Sequence, residues 1–126
     1  MRYVPSILGA LLGLLFIAIS LYVLSGKASV PPIPEGTPAF HFMAAFGPTG
    51  YMTFIKVLEL LGGILVAIPK TRNFGLLILG PIIVNIAAYH QFVTKDLLAQ
   101  PMVLGIGVVA LYLLWAGRRN FAGLRN

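Results

Sequence analysis

Four apolar runs, at residues 4–24, 49–68, 74–93 and 102–116, follow one another along the chain. Crossing the hydrocarbon of a bilayer takes about 20 mainly apolar residues. All four runs are of that order, the last being shorter and bounded by Pro101 and by Arg118-Arg119. One such run reads equally well as a buried helix of a soluble protein; four in series on such short connections do not. Composition agrees, with 59% of residues hydrophobic and 10% charged, against about 25% charged in soluble domains. A soluble domain of 126 residues cannot hide that much apolar surface. The expected fold is an all-α integral membrane protein, a four-transmembrane-helix bundle forming a single domain over residues 1–126.

The first run must be told apart from a cleavable signal peptide. It is about 20 residues long, beyond the 7–15 of a signal core. "GKASV", at residues 26–30, gives no clean small-x-small exit. An uncleaved anchor is expected.

The loop charges then set the orientation. Arg2, Lys70, Arg72, Arg118, Arg119 and Arg125 fall on one side of the expected topology, while Lys27 and Lys95 fall on the other with Glu35 and Asp96. Six basic residues against two is a positive-inside bias, which places both termini in the cytoplasm and the protein in a bacterial inner (plasma) membrane as a multi-pass chain. The net charge of +6 is thus a topology signal, and nucleic acid is not expected as a partner. The chain has no cysteine, which excludes disulfides, thiolate metal sites and thiol redox chemistry within it. Neither a nucleotide-binding glycine loop nor a hydrolase triad pattern is present.

The outer loop, residues 25–47, has two parts. "GKASVPPIPEGTP" is proline-rich and expected to be extended. "AFHFMAAF" is too short to span, and its aromatics suit a short interfacial or re-entrant helix between helices 1 and 2, or a simple cover over the bundle. Within the spans, Gly9 and Gly13 form a small-xxx-small pair that permits close helix approach. Gly80-Pro81 is expected to bend the third span and free a carbonyl.

Lys56 and Glu59 stand inside the second run. Three residues apart, they share a helix face, and charges at such depth cost several kcal/mol each unless turned inward and paired. At a rise of ~1.5 Å per residue from the "PKTRN" loop, Glu59 lies roughly 15 Å in and Lys56 about 20 Å. On the third run Asn85 lies at about 18 Å, with Tyr89 and His90 near 25 Å. Lys56, Glu59, Asn85, Tyr89 and His90 therefore form the candidate ligand-binding set. Two readings stand. Either the polar residues only lock helices two and three together, or they line a cavity open to the outer side that holds a polar head group. His41 and His90 have no metal-specifying spacing, and no carboxylate or thiol partner for them is evident, so no metal site is expected. Tyr51, Met52, Tyr89 and Phe92 suit interfacial anchors.

The stretch "TGYMTFIKVLELLGGILVAIPKTRNFGLLIL" resembles the DoxX-like family of small four-helix bacterial membrane proteins. The likeness is carried by Lys56 and Glu59, by Leu61-Gly62-Gly63, by the turn Pro69-Lys70-Thr71-Arg72, and by the polar third span with Asn85 and His90. It implies an inner-membrane four-helix bundle. It further implies a non-catalytic subunit or anchor of a membrane redox complex, not an enzyme by itself, with a quinone or lipid as bound ligand and no intrinsic cofactor. The expected partners are the lipid bilayer and either a protein complex or further copies of the chain. A scaffold without ligand, and a small-solute transporter acting as an oligomer, are the alternatives.

Overall fold

The structure is a computed structural model that describes residues 2–28 and 32–125, without the Arg125 side chain. Ser29, Val30 and Pro31 of the proline-rich loop lie outside the described residues. Among those described, all regular structure is helical: α1 Val4–Leu24, α2 Pro38–Phe46, α3 Tyr51–Ala67, α4 Arg72–Ala88, α5 Pro101–Ala116 and the short α6 Arg118–Phe121. A π turn, Tyr89–Val93, continues α4, and 3₁₀ turns cover Pro69–Thr71, Leu97–Ala99 and Ala122–Arg125.

Two helices are long and apolar enough to cross a membrane, α1 with 21 residues and the continuous segment Pro69–Val93 with 25. There are up to four if each of two bent pairs counts as one span: α2 with α3, turned by 87°, and α5 with Arg118–Leu124, turned by 72°. Taken alone, α3 has 17 residues and α5 has 16, about 25 Å of helix each, a little short of a typical hydrocarbon core. Pro5 and Pro101 sit in the first turns of α1 and α5, where a missing amide costs nothing. Pro81 lies inside α4, and the helix continues through it.

Packing runs in a ring. The central helix α3 lies between α1 and α4, α5 packs on α4, and a lighter α1–α5 contact closes the circuit. The core joins Leu12, Phe16, Val66, Leu76, Leu79, Ile83, Ala110 and Leu113. The buried stripe of α1 is Gly9, Leu12, Gly13, Phe16 and Ser20, at the i, i+3, i+4 spacing of one helix face. Its outward face carries Ile7, Leu11, Leu14 and Leu21, all more than half exposed. Small residues turned inward and large apolar ones outward is the arrangement for a helix whose solvent is lipid.

Close approach is decisive where α1 crosses α3. A Cβ added at Gly63 would stand 2.9 Å from the Gly13 carbonyl oxygen and 3.0 Å from Phe16 Cβ. The second glycine of the pair faces the other neighbour: a Cβ at Gly62 would meet Leu79 Cγ at 2.7 Å. Gly62-Gly63 therefore seats one helix on each side of α3, and the single small pair read from α1 is half of a two-sided seam.

The α3–α4 connection explains the Pro-Lys-Thr-Arg sequence. Residues before proline avoid the helical region, and Ile68 is extended (φ −91°, ψ 121°), so α3 ends there with carbonyls unsatisfied. The Thr71 hydroxyl donates to Leu65 O at 2.8 Å and Arg72 Nε donates to Val66 O at 3.2 Å. Arg72, counted above as a loop charge, is folded inward so that its guanidinium lies against Gly9 of α1.

Candidate functional site

All five residues singled out from the sequence line one cavity. Its volume is about 600 Å³, and its walls come from α2, α3, α4 and the π turn. Lys56 and Glu59 stand on α3, Asn85 on α4, Tyr89 and His90 on the π turn, and Phe42 and Met43 on α2. Volumes of this size hold ring-sized or drug-sized ligands.

Lys56 Nζ lies 2.8 Å from Glu59 Oε2, as the i, i+3 spacing demands. Glu59 is 2% exposed, whereas the Lys56 side chain keeps 20% of its surface open. The ion pair is close but poorly directed: Oε2 has no hydrogen-bond partner among the described residues. The carboxylate thus has a counter-charge and unused acceptor capacity, a costly state in a buried position.

Ser20 on α1 is the polar group that sequence reasoning missed. It is fully buried, and its hydroxyl also lacks a partner among the described residues. Ser20 lies one turn beyond Phe16 on the seam face of α1, and Glu59 lies one turn before Gly63 on α3. The antiparallel register fixed by the Phe16–Gly63 approach brings Ser20 level with Glu59. A lone serine in an apolar run resembles an ordinary membrane-helix residue; its partner in register becomes visible only once the Gly13–Gly63 crossing is known.

Asn85 departs from expectation. It lines the cavity at the right depth but is exposed, and no hydrogen bond joins it to Lys56 or Glu59. Its amide therefore stands at the open side of the cavity, since Ile82 and Ile83, not Asn85, occupy the buried face of α4.

An aromatic group closes the cavity toward the α2 end. The Thr37 hydroxyl caps α2 by accepting from Phe40 N at 3.2 Å. The helix lies at 87° to α3, so Phe42 reaches Tyr89 with ring centroids 4.9 Å apart. Phe46 stacks on Phe42 at 4.9 Å and on Tyr51 at 4.8 Å. The four residues read as interfacial anchors, Tyr51, Met52, Tyr89 and Phe92, all belong to the cavity wall.

His90 does have a carboxylate partner, contrary to the sequence reading. Its Nδ1 is 2.9 Å from Asp96 Oδ1 and 3.3 Å from the Thr94 hydroxyl. Thr94 also donates to Asp96 Oδ1, and Gln100 Nε2 donates to Oδ2 at 2.8 Å. Hydrogen bonds from Thr94, His90 and Gln100 hold the Asp96 carboxyl down from 3.8 to about 2. The pairing was hidden because positions i and i+6 do not share an α-helical face. The π turn and Lys95, which has a left-handed φ of 59°, reverse the chain so that Asp96 N bonds to His90 O at 2.8 Å. His41 sits apart on the exposed side of α2, packed against Phe40. Among the described residues no group of three His, Cys, Asp or Glu side chains is placed to hold a metal.

The chain is 32% identical over 121 aligned residues to a Bacillus subtilis (strain 168) protein carrying the name uncharacterized protein YwoB, covering 87% of this chain and 77% of that protein. No family model matches the chain. No solved structure matches it either.

Proposed function

The chain belongs to the same family as YwoB, and from that premise we propose that it is a four-span inner-membrane protein whose α2-roofed cavity holds the head group of a lipophilic ligand. In this reading α1, α3, α4 and α5 each cross the bilayer. Both termini and the Pro69–Arg72 turn face the cytoplasm, where Arg2, Lys70, Arg118 and Arg119 gather. The cavity opens to the outer side. The protein acts there as a non-catalytic subunit or anchor of a membrane redox complex, with a quinone or lipid as ligand. The likeness to DoxX-like proteins, through Lys56, Glu59, the double glycine and the Pro-Lys-Thr-Arg turn, supports the redox assignment.

The observation that carries the reading is Glu59: a 2% exposed carboxylate whose Oε2 is ion-paired to Lys56 but has no hydrogen-bond partner among the described residues, on the wall of a 600 Å³ aromatic-roofed cavity. A quinone-type head group fits this wall chemically. Lys56, Asn85 and Tyr89 can donate to ring carbonyls, Glu59 can accept from a ring hydroxyl, and Phe42 and Tyr89 present apolar faces. The bound group would supply the electron-carrying chemistry. The protein's own residues would fix its orientation and exclude water.

A scaffold role is favoured instead by one observation, the ion pair already closed at 2.8 Å. Binding separates the two. A decyl-tailed benzoquinone titrated against purified protein in nanodiscs should bind the wild type. Affinity should fall at least tenfold, or about 1.4 kcal/mol, in Glu59→Gln and further in Lys56→Met/Glu59→Leu, with helicity unchanged. Equal affinity in all three proteins removes the pair from any site and leaves the scaffold.

A further inference from the structure

The His90 cluster lies at the cavity wall, and the ion pair does not account for it. Three side chains converge on the Asp96 carboxylate, from Thr94, His90 and Gln100. They are brought there by a π turn and by a non-glycine residue with φ of 59°. π turns and positive φ outside glycine are uncommon and concentrate where a site requires them. The ring of His90 is clamped from a second direction by Tyr89, edge to face at 5.3 Å.

This clamp fixes a proton. Asp96 is an acceptor only, and the depressed titration of its carboxyl keeps it so through the physiological range. The neutral imidazole therefore carries its proton on Nδ1, and Nε2 keeps a lone pair. His90 lines the cavity with Nδ1 already occupied, so Nε2 is the ring nitrogen left to meet a ligand. The other polar groups around the same space are Tyr51, Lys56 and Glu59 from α3, Asn85 from α4 and Tyr89 beside His90 in the π turn; α2 contributes Phe42 and Met43.

We infer that His90, positioned by Asp96, Thr94 and Gln100, is a hydrogen-bond acceptor that makes the cavity select hydroxyl-bearing aromatic head groups, of the hydroquinone class, over their carbonyl or ether counterparts. The inference rests on the head-group reading of the cavity and sharpens it to one oxidation state. An acceptor at Nε2 bonds to a ring hydroxyl. Facing a carbonyl oxygen, it leaves two lone pairs opposed, and a site built to hydrogen-bond a hydroxyl discriminates strongly against analogues without one. Binding is the whole of the step: an O–H···Nε2 hydrogen bond forms and no electron is transferred.

Two measurements test it on the full chain in nanodiscs. The first is ¹⁵N NMR of histidine-labelled protein, followed upward in pH until the His90 signals are those of a neutral ring. His90 should show its proton on Nδ1, and Asp96→Asn should release that preference. A proton on Nε2 in the wild type overturns the inference without any ligand. The second is binding of three decyl-tailed probes: hydroquinone, benzoquinone and hydroquinone dimethyl ether. The hydroquinone should bind at least tenfold tighter than the ether and tighter than the benzoquinone, and His90→Phe should abolish the preference. Equal binding of all three overturns the selectivity and leaves the head-group reading standing. No binding by any of them overturns both.

Discussion

The two ends of α3 are built on opposite principles. Toward the Pro69–Arg72 turn the helix is flanked by glycines, with neighbouring backbones in contact and its last carbonyls capped by Thr71 and Arg72. Toward α2 the same helix carries Lys56 and Glu59 beside a 600 Å³ cavity, where two buried polar atoms, Ser20 Oγ and Glu59 Oε2, lack hydrogen-bond partners among the described residues. Membrane helices gain little from burying apolar surface against one another and depend on close fit and satisfied polar groups. The first half has the close fit and leaves one buried polar atom, Arg72 Nη2, without a hydrogen-bond partner among the described residues; the second half is open and leaves two. Close fit therefore holds the packed half together, while the open half keeps a cavity beside a buried ion pair.

The largest effect should come from the open end of α3. Lys56→Met strands a buried carboxylate, and losing one partner of such a pair costs about 3–5 kcal/mol. Unfolding in mixed micelles followed by circular dichroism should show that loss. Lys56→Met/Glu59→Leu should recover most of it, since apolar replacement of a buried pair is often neutral or stabilising. A double variant as unstable as the single one would mean that the pair holds the fold and that the two halves do not differ in kind.

At the packed end, Gly63→Val forces a branched side chain into the Gly13 carbonyl and Phe16. Overpacking of this kind costs about 1–3 kcal/mol, here with loss of the α1–α3 crossing. Gly80→Val adds the same atoms where nothing stands within 4 Å of the new Cβ and should leave the unfolding midpoint nearly unchanged. Thr71→Val is smaller again. It removes the hydroxyl bond to Leu65 O for a loss of about 1 kcal/mol, read in the same assay.

The packed half was largely legible in the sequence, because hydropathy and glycine spacing are local signals. The run expected over 4–24 is helix α1, and residues 102–116 fall within α5. The segment "AFHFMAAF", expected from its length and aromatics to be a short helix or a simple cover, lies within helix α2. The five candidate residues do share one cavity wall, because depth along two antiparallel helices follows from counting residues. What escaped was everything set by departures from regular helix. Asp96 meets His90 only through a π turn and a left-handed Lys95. Asn85 stands level with the ion pair but turned to the open side, because depth does not give rotation about the helix axis. Arg72 looked like a loop charge, yet its guanidinium is drawn in by the uncapped end of α3.

The finest distinction within the open half is between its interior pair and its rim cluster, and pH separates them. Asp96 titrates at about 2 when folded, against a reference of 3.8. A carboxyl whose value is lowered by folding contributes stability that is fully present above 3.8 and disappears as pH falls through about 2. The His90–Thr94–Asp96–Gln100 cluster should therefore stay intact at pH 5. It should open only below 3.8, when Asp96 takes a proton and can no longer accept from all three donors. The carboxyl ¹³C resonance of Asp96, followed by NMR from pH 6 downward, should keep its ionised position until well below 3.8. Asp96→Asn should lower stability only modestly, because the cluster sits at the rim and outside the core, while releasing the His90 tautomer. A titration of Asp96 at its reference value of 3.8 would mean that Thr94, His90 and Gln100 do not hold the carboxylate, and that the rim is an ordinary loop.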